Sequence, residues 1–319
     1  MTAPKIFSEF TEGLNEINAT EGSRAFSDSR SVRMKDTTSS VYDMAAAGSA
    51  KGDIWNWGMY DPVVAKEIAE LIPGFGEFDT DGISEQLYYT ALKAVPIEFG
   101  DYAGRSVLEV GCGMGEGLNF LSRIAGGGEF TGLDLSPRAI ERATATLSRG
   151  RTLRYVQGDA EELPFGDGEV DVVINIESSH TYPDLARFLS EVSRVLKPGG
   201  YFSHIDVFTA KRLEVLRSLK GELPGLDWVH EQDLSPQVKA GIRRRLAPGS
   251  HFHRKLAEKR VPALARPIVK HSSAVIFGGV FAGHQDTAYI KLLRKLGVLP
   301  SGRHLEVESY RHHVAVKRA

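Results

Sequence analysis

The chain has 319 residues, a formal net charge of −2 and a single cysteine, Cys112. Its composition of 42% hydrophobic and 25% charged residues is typical of a globular protein that buries a sizeable core. The small net charge excludes a strong overall attraction to nucleic acid, and one cysteine excludes an intrachain disulfide. The opening MTAPKIFSEF lacks the basic and apolar blocks of a signal peptide, so we expect a cytoplasmic protein without membrane insertion.

The first 98 residues are expected to lie outside the main domain. Residues 1–40 are polar and weakly patterned, so at least part of them is expected to be mobile. Residues 41–98 contain several aromatic side chains, and Ile83, Leu87 and Val95 recur at helical intervals. We therefore predict for residues 1–98 a partly mobile segment followed by an aromatic helical cap.

Residues 99–209 alternate between apolar strand patterns and amphipathic helix patterns. Ser136 and Pro137 mark the beginning of one helix, as a cap and as a first-turn residue. Apolar strands separated by helices indicate a parallel sheet that is covered on both faces. The predicted fold class is therefore α/β, doubly wound. The strands are predicted at SVLEV, EFTGLDL, LRYVQGD, VDVVINIE and YFSHIDVF, and the helices at GEGLNFLSRIA, SPRAIERATATLSR and LARFLSEVSRVL.

The last third of the chain is predicted to cover and complete this core. Residues 210–283 are expected to form a helical substrate lid inserted after strand five. Within them, residues 211–270 hold 14 Lys and Arg against 6 Asp and Glu. This basic run indicates either a solvated helix face or attraction of an anionic substrate, acyl carrier or membrane surface. Residues 284–319 are expected to complete the sheet with an antiparallel strand, and no metal site is assigned.

The stretch VLEVGCGMGEG, residues 107–117, follows the first strand with glycines at alternate positions. Ligands of doubly wound sheets bind beyond the carboxyl ends of the strands, where a bare turn lets the backbone approach them. The spacing is G-x-G-x-G, whereas dinucleotide sites use G-x-G-x-x-G; a tight turn without a ligand is the alternative. Two later strands end in Asp134 and Asp159, which are placed to accept hydrogen bonds from ribose hydroxyls and an adenine amine.

These stretches, together with GLDLS, GDAEELPF, VDVVINIESSH and RVLKPGG, resemble the class I S-adenosylmethionine-dependent methyltransferases over about residues 104–208. The resemblance implies a mostly parallel, seven-stranded Rossmann-like sheet with S-adenosyl-L-methionine as cofactor. It implies that the glycines line the methionine portion, that Asp134 binds the ribose, and that Glu109 faces the cationic cofactor. The implied cofactor-binding residues are Glu109, Gly111, Cys112, Gly113, Gly115, Asp134, Leu135, Asp159, Ala160 and Asn175.

His180 and Asp206 are the candidate catalytic residues. His180 follows the fourth strand at the ligand edge, and histidine is a common general base because its pKa lies near neutrality. Asp206 ends the neighbouring fifth strand, where it could orient the imidazole or share its role. The alternatives are a helix-capping histidine and a lid-anchoring aspartate. His204 is expected to face away from Asp206 and to serve packing.

A narrower resemblance supports this pair. NIESSHTYPDLARFLSEVSRVLKPGGYF is similar to the phthiotriol and phenolphthiotriol dimycocerosate methyltransferases and to sugar and polyketide O-methyltransferases. In the sugar enzymes a histidine in this loop and an acid on the next strand act together, and His180 and Asp206 match these positions. The second histidine that often follows the first is Thr181 here. The sequence Asn175-Ile176-Glu177-Ser178 lacks the aromatic clamp of nucleic-acid amino methyltransferases.

The favoured function is O-methylation of a hydroxyl on a lipophilic or glycosylated natural product, such as a polyketide, lipid or sugar, with His180 as general base. C- or N-methylation is one alternative, and a repurposed fold that catalyses cyclisation or serves as a noncatalytic partner is another. Trp55, Trp57 and Tyr60 are expected either in the core or across the cofactor, as in lipid-directed members of the family. The expected partner is a small-molecule acceptor; no nucleic acid is expected, and a homodimer is left open.

Overall fold

The computed structural model describes residues 3–48, 55–77, 80–223, 225–258, 266–296 and 305–319. Within these ranges the chain forms a seven-stranded sheet in the order β3-β2-β1-β4-β5-β7-β6, in which β1 to β5 are parallel. Only β7 runs antiparallel to its neighbours β5 and β6 among the strands described. The strands are β1 Ser106–Val110, β2 Glu129–Asp134, β3 Leu153–Gln157, β4 Val170–Ile176, β5 Leu196–Phe208, β6 Leu226–Asp233 and β7 Ser309–Lys317.

The strand order reverses between β1 and β4, which are parallel neighbours although β2 and β3 lie between them in sequence. In doubly wound sheets such a reversal opens a crevice beyond the carboxyl ends of the strands. The apolar side chains of β1 and β4 are buried on both faces, as expected for a central parallel pair. The predicted α/β, doubly wound, mostly parallel sheet is confirmed.

Helices cover both faces of the sheet. Helix α6 begins as predicted, because the hydroxyl of Ser136 accepts a hydrogen bond from the backbone of Ala139 and Pro137 occupies its first turn. None of the described helices is long and apolar enough to span a bilayer. The helices are α1 Ala3–Ala19, α2 Asp28–Gly48, α3 Pro62–Leu71, α4 Ile83–Lys93, α5 Glu116–Ile124, α6 Pro137–Leu147, α7 Leu185–Val195, α8 Ala210–Glu222, α9 Ser235–Leu246, α10 His251–Glu258, α11 Arg266–Ile276 and α12 Ala288–Lys295.

The N-terminal region contains α1 and α2, which the weakly patterned sequence of residues 1–40 did not predict. Helix α2 has no marked apolar stripe, and polar contacts help to fix it to the core. Asp43 accepts hydrogen bonds from the hydroxyl of Ser136 at 2.6 Å and from the backbone N–H of Arg138 at 3.1 Å. Such tertiary hydrogen bonds leave no periodic signal, so α2 joins the core without an amphipathic pattern.

The segment predicted as a helical lid, residues 210–283, also contributes a strand to the sheet. Strand β6 pairs only with β7 among the described strands and forms the outer edge, and most of its side chains are exposed. An exposed edge strand lacks the apolar run that predicts buried strands, which explains why the sequence pattern missed it. Strand β7 is antiparallel as predicted and lies between β5 and β6. Helices α9, α10 and α11 follow β6.

Candidate active site

A cavity with about 910 Å³ of empty space, partly open to solvent, lies at the carboxyl ends of β1, β2 and β4. It is bounded by the glycine-rich turn after β1, the ends of β2 and β3, the loop after β4, and helix α2. Glu109 and Asn175 do not line it, and neither do His180 and Asp206. The predicted cofactor-binding residues that line it are Gly111, Cys112, Gly113, Gly115, Asp134, Leu135, Asp159 and Ala160.

The turn after β1 requires glycine for both conformation and space. Gly111 and Gly115 have φ angles of +79° and +77°, in the left-handed region that side chains disfavour. A Cβ atom on Gly111 would lie 2.3 Å from the hydroxyl oxygen of Ser178, and one on Gly115 would lie 2.3 Å from the ring of Tyr155. The bare turn is therefore part of the packing, and it leaves backbone rather than side chain at the cavity wall.

Asp134 links the glycine-rich turn to the end of β2. Its Oδ2 accepts a hydrogen bond from the backbone N–H of Gly113 at 2.8 Å, and its Oδ1 accepts one from the N–H of Ser136 at 2.9 Å. Burial raises the pKa of Asp134, while these two backbone bonds oppose the rise. Each carboxylate oxygen has a second lone pair, so both can still accept a hydrogen bond from a ligand in the cavity.

Asp159 pairs with a residue that the sequence pattern did not indicate. The ammonium of Lys35 in α2 lies 2.6 Å from Oδ2 of Asp159 and 2.6 Å from Oε2 of Glu161. Burial alone would lower the pKa of Lys35, but the bonds and charges of the two carboxylates outweigh it and raise the pKa. Helix α2 is therefore tied to the cavity wall at the end of β3.

Glu109 is fully buried on β1, beneath the turn. Its Oε1 accepts a hydrogen bond from the hydroxyl of Tyr88 at 2.8 Å, and Tyr88 itself lines the cavity. In the part of the chain that the structure describes, Oε2 has no hydrogen-bond partner. Burial raises the pKa of Glu109 to about 8, so the side chain is largely neutral at pH 7 unless a positive charge lies nearby.

Asn175 braces the loop after β4 rather than facing the cavity. Its Nδ2 donates hydrogen bonds to the carbonyl of Val110 at 2.8 Å and to the hydroxyl of Ser178 at 2.7 Å. Ser178 and Tyr182 do line the cavity, and both oxygens lie within hydrogen-bond distance of this amide. Asn175 therefore holds the β4 loop against the glycine-rich turn.

The structure brings His180 and Asp206 into direct contact. Nδ1 of His180 lies 2.7 Å from Oδ1 of Asp206, and the backbone N–H of His180 donates to Oδ2 at 3.0 Å. Burial alone would lower the pKa of His180, but the charge and hydrogen bond of Asp206 raise it above the usual value. Asp206 is fully buried, yet His180 holds its pKa well below the ordinary value. The pair is thus an oriented imidazole with a carboxylate behind it.

His204 takes part in the support of this pair. The hydroxyl of Ser179 donates to Oδ2 of Asp206 at 2.6 Å and lies 2.8 Å from Nε2 of His204. His204 and Asp206 therefore lie on the same face of β5, as alternate residues of a strand do, and the expectation of opposite faces was wrong. The fully buried His204 ring also stacks on Phe202, with centroids 5.4 Å apart, so it packs in the core as well as supporting the pair.

Arg212 is a fully buried positive charge beneath the His180 turn. Its Nη2 donates to the carbonyl of Ser179 at 3.2 Å and to that of Tyr182 at 2.9 Å. Burial lowers the pKa of Arg212 to about 10, although the charge of Asp206 opposes this. Arg212 fixes the turn that carries His180, a role with no local sequence signal because it begins α8, outside the motifs.

Glu177, the residue after β4, lines the cavity and was not singled out in the sequence as a site residue. Its Oε1 accepts hydrogen bonds from the backbone N–H of Trp57, at 2.8 Å, and from the hydroxyl of Tyr310. The aromatic residues of the N-terminal cap were expected either in the core or across the cofactor, and the structure shows one tryptophan at the cavity and one in the core. Trp55 lines the cavity, whereas Trp57 packs in the core with its centroid 6.3 Å from that of Tyr310.

At the centre of the basic run after β6, Arg245 has a structural role. Arg245 is buried, and its Nε lies 2.7 Å from Oδ2 of Asp81. Its Nη1 donates to the carbonyls of Asn56 and Trp57, both at 2.9 Å. Arg245 therefore fastens α9 to the N-terminal cap, and its charge is not available to an anionic partner. The exposed Arg244 stacks on Tyr60, 3.6 Å from the ring centroid.

Comparisons with known proteins agree with this architecture. The fatty-acid O-methyltransferase of Mycolicibacterium smegmatis is 45% identical over 163 residues, covering 51% of this chain and 57% of that protein. The phthiotriol/phenolphthiotriol dimycocerosates methyltransferase of Mycobacterium tuberculosis is 38% identical over 166 residues, covering 52% and 59%. The match thus spans less than two thirds of the length of each relative.

Solved structures share the fold over most of the chain. The geranyl diphosphate C-methyltransferase of Streptomyces coelicolor A3(2) has a TM-score of 0.57 at 17% identity, covering 90% of this chain and 98% of that one. The cyclase SpnF has a TM-score of 0.57 at 19% identity, covering 89% and 96%. Residues 108–204 match the family described as methyltransferase domain. The resemblance to the class I S-adenosylmethionine-dependent methyltransferases is therefore confirmed, and the match to the methyltransferase domain covers residues 108–204.

Proposed function

We propose that the protein transfers a methyl group from S-adenosyl-L-methionine to the oxygen of a hydroxyl on a lipophilic small molecule. The observation that carries this proposal is the convergence of three motifs on one cavity. The bare turn at Gly113 and Gly115, the carboxylate of Asp134 and the carboxylate of Asp159 come from three different strand ends and line the same space. This set suits a ligand with a ribose, an adenine and a thin charged tail.

The residues present fit the cofactor. The carboxylate of Asp134 would accept hydrogen bonds from the ribose hydroxyls, and that of Asp159 would accept one from the adenine amine. The unpartnered Oε2 of Glu109, buried beneath the turn, suits the neighbourhood of a positive charge. When bound, the cofactor supplies an electrophilic methyl group on a sulfonium leaving group.

The protein's chemical task is to align the acceptor and to accept its proton. We assign the general-base role to His180, whose Nδ1 is held by Asp206 at 2.7 Å. None of the described residues hydrogen bonds to its Nε2, so that nitrogen is free to accept a proton. The role of Asp206 is to fix the tautomer and to stabilise the imidazolium after proton transfer.

The proposal of a lipophilic acceptor rests on the names of the relatives and on the side chains that line the cavity. The relatives' names, phthiotriol dimycocerosates methyltransferase and fatty-acid O-methyltransferase, describe enzymes of lipid-like substrates. In this chain Trp55, Tyr42 and Tyr88 contribute aromatic surface to the cavity. Aromatic surface of this kind favours burial of an apolar acceptor.

The test is a transfer assay with methyl-labelled S-adenosyl-L-methionine. Long-chain alcohols and hydroxylated lipids are offered in parallel with matched C- and N-nucleophiles, and S-adenosylhomocysteine is quantified. We expect label in an ether product, with an equal amount of S-adenosylhomocysteine. Label on carbon or nitrogen alone would overturn O-methylation, and cofactor binding with no transfer to any member of the panel would overturn the methyltransferase assignment.

A further inference from the structure

Glu177 has a backbone conformation that sets it apart. Its φ angle is +48°, and among the described residues it is the only non-glycine with a positive φ. Such conformations are costly for a residue with a Cβ atom and tend to occur at functional sites. Glu177 lies at the cavity wall directly after β4, in the loop that carries His180.

The carboxylate of Glu177 is anchored by one oxygen only. Oε1 accepts hydrogen bonds from the backbone N–H of Trp57, in the N-terminal cap, and from the hydroxyl of Tyr310 on β7. No residue in the described ranges hydrogen bonds to Oε2. The side chain is thus fixed in position while one oxygen remains available for a ligand in the cavity.

The charges around Glu177 come from several elements. Asp206 on β5 raises its pKa by like charge, whereas His180 in the same loop and the hydrogen bond from Tyr310 lower it. The hydroxyls of Tyr42 in α2 and Tyr88 in α4 also lie within its electrostatic influence. Burial has the largest effect and raises the pKa of Glu177 to about 7, so both protonation states are accessible near neutrality.

We infer that Glu177 is a further catalytic residue, which contacts the acceptor hydroxyl through Oε2 and shares the proton-accepting role with His180. This inference rests on the proposed function. As the new O–C bond forms, the C–S bond breaks and its electron pair stays on sulfur. The hydroxyl proton moves to Oε2 and leaves a neutral carboxylic acid, which later loses the proton to water. Glu177 lines the cavity and His180 does not, so Glu177 offers a proton acceptor at the cavity wall itself.

The test compares Glu177→Gln with Glu141→Gln, the same substitution at an exposed position of α6. Glutamine keeps an oxygen for Trp57 and Tyr310 but cannot accept a proton. We expect turnover to fall by at least about 10²-fold in Glu177→Gln, with cofactor affinity within about twofold of the wild type. Glu141→Gln should behave as the wild type. Turnover within about threefold of the wild type in Glu177→Gln would overturn the inference and leave methyl transfer itself intact.

A second variant separates proton acceptance from positioning. Tyr310→Phe removes a hydrogen bond that lowers the pKa of Glu177, so the rising limb of the turnover–pH profile should move to higher pH. The carboxylate band of Glu177 in the infrared spectrum is isolated as the difference between wild type and Glu177→Gln. It should titrate near neutrality in the wild type, and at higher pH in Tyr310→Phe. This measurement requires no acceptor. An unmoved limb, or a carboxylate that titrates at the ordinary glutamate pKa, would contradict the inference.

Discussion

Lys35 and Asp159 are 124 positions apart in the chain, yet the ammonium of one lies 2.6 Å from the carboxylate of the other. The same ammonium also pairs with Glu161, so helix α2 is tied to the strand end proposed to receive the adenine. The ion pair therefore places a helix from outside residues 108–204, which match the methyltransferase domain, at the wall of the cavity proposed to bind the cofactor.

Loss of this tie should accelerate cofactor release. Lys35→Met retains much of the side-chain volume but removes the charge, and a partly exposed ion pair of this kind contributes about 1 kcal/mol. We expect the dissociation rate of S-adenosyl-L-methionine to rise about fivefold. Stopped-flow displacement measures this rate, and Lys35→Arg serves as the charge-conserving control. Equal rates for wild type and Lys35→Met would show that α2 does not retain the cofactor.

Glu109 should couple cofactor binding to proton release. Its pKa of about 8 in the free protein means that it carries a proton at neutral pH. A bound sulfonium favours the charged carboxylate and lowers this pKa, so affinity should increase as pH rises toward 8. Isothermal titration calorimetry in buffers of different ionisation enthalpy measures the proton released. Glu109→Gln should abolish that proton release. If the binding enthalpy of this variant still depends on the buffer as in the wild type, the released proton comes from another group.

Turnover should depend more strongly on His180 than on Asp206. His180→Ala should lower turnover by about 10²- to 10⁴-fold with cofactor affinity nearly unchanged. Asp206→Asn should cost less, and because Asp206 raises the pKa of His180, the rising limb of the pH profile should move to lower pH. Steady-state kinetics across pH measures both effects. Near-normal turnover of His180→Ala at neutral pH would favour another base, such as Glu177, or C- or N-methylation, which depends on alignment more than on a base.

Arg245 should stabilise the junction between α9 and the N-terminal cap. Removal of one partner from a buried ion pair costs about 3–5 kcal/mol, because the remaining charge is left without compensation. We therefore expect Arg245→Ala to lower the free energy of unfolding by about 3 kcal/mol in urea titrations. The neighbouring Arg244→Ala, which removes an exposed cation–π contact, should cost about 0.5–1 kcal/mol. Equal losses in the two variants would contradict the structural role of Arg245.

Local patterns in the sequence predict the central sheet well. The apolar runs of β1 to β5 and the Ser136-Pro137 helix start are short-range signals, and each was found where predicted. The contact of His180 with Asp206 also follows from topology, because parallel strands β4 and β5 end at the same edge. The meeting of these two side chains can therefore be predicted from motif order.

Other parts of the site depend on contacts that no local pattern encodes. Lys35 belongs to a helix that is fixed in part by polar tertiary bonds and whose stretch lacks a clear helical periodicity of apolar residues. The left-handed backbone of Glu177 cannot be predicted from its residue type, which disfavours that conformation. Strand β6 is an exposed edge and looks like a loop or helix face in sequence. The position of α2 and the pairing of β6 become visible only when distant segments are seen together, and the backbone conformation of Glu177 only in the structure.

Calorimetric titration of S-adenosyl-L-methionine into the wild type and Asp134→Ala tests the central claim most directly. Charge-assisted hydrogen bonds of the kind proposed for the ribose contribute about 1.5–3 kcal/mol. We predict one site per chain in the wild type and an affinity about 10- to 150-fold lower in Asp134→Ala. The surface variant Glu141→Gln should bind as the wild type does. A well-folded wild type that binds no S-adenosyl-L-methionine, or an Asp134→Ala variant that binds it equally well, would contradict the assignment of this cavity.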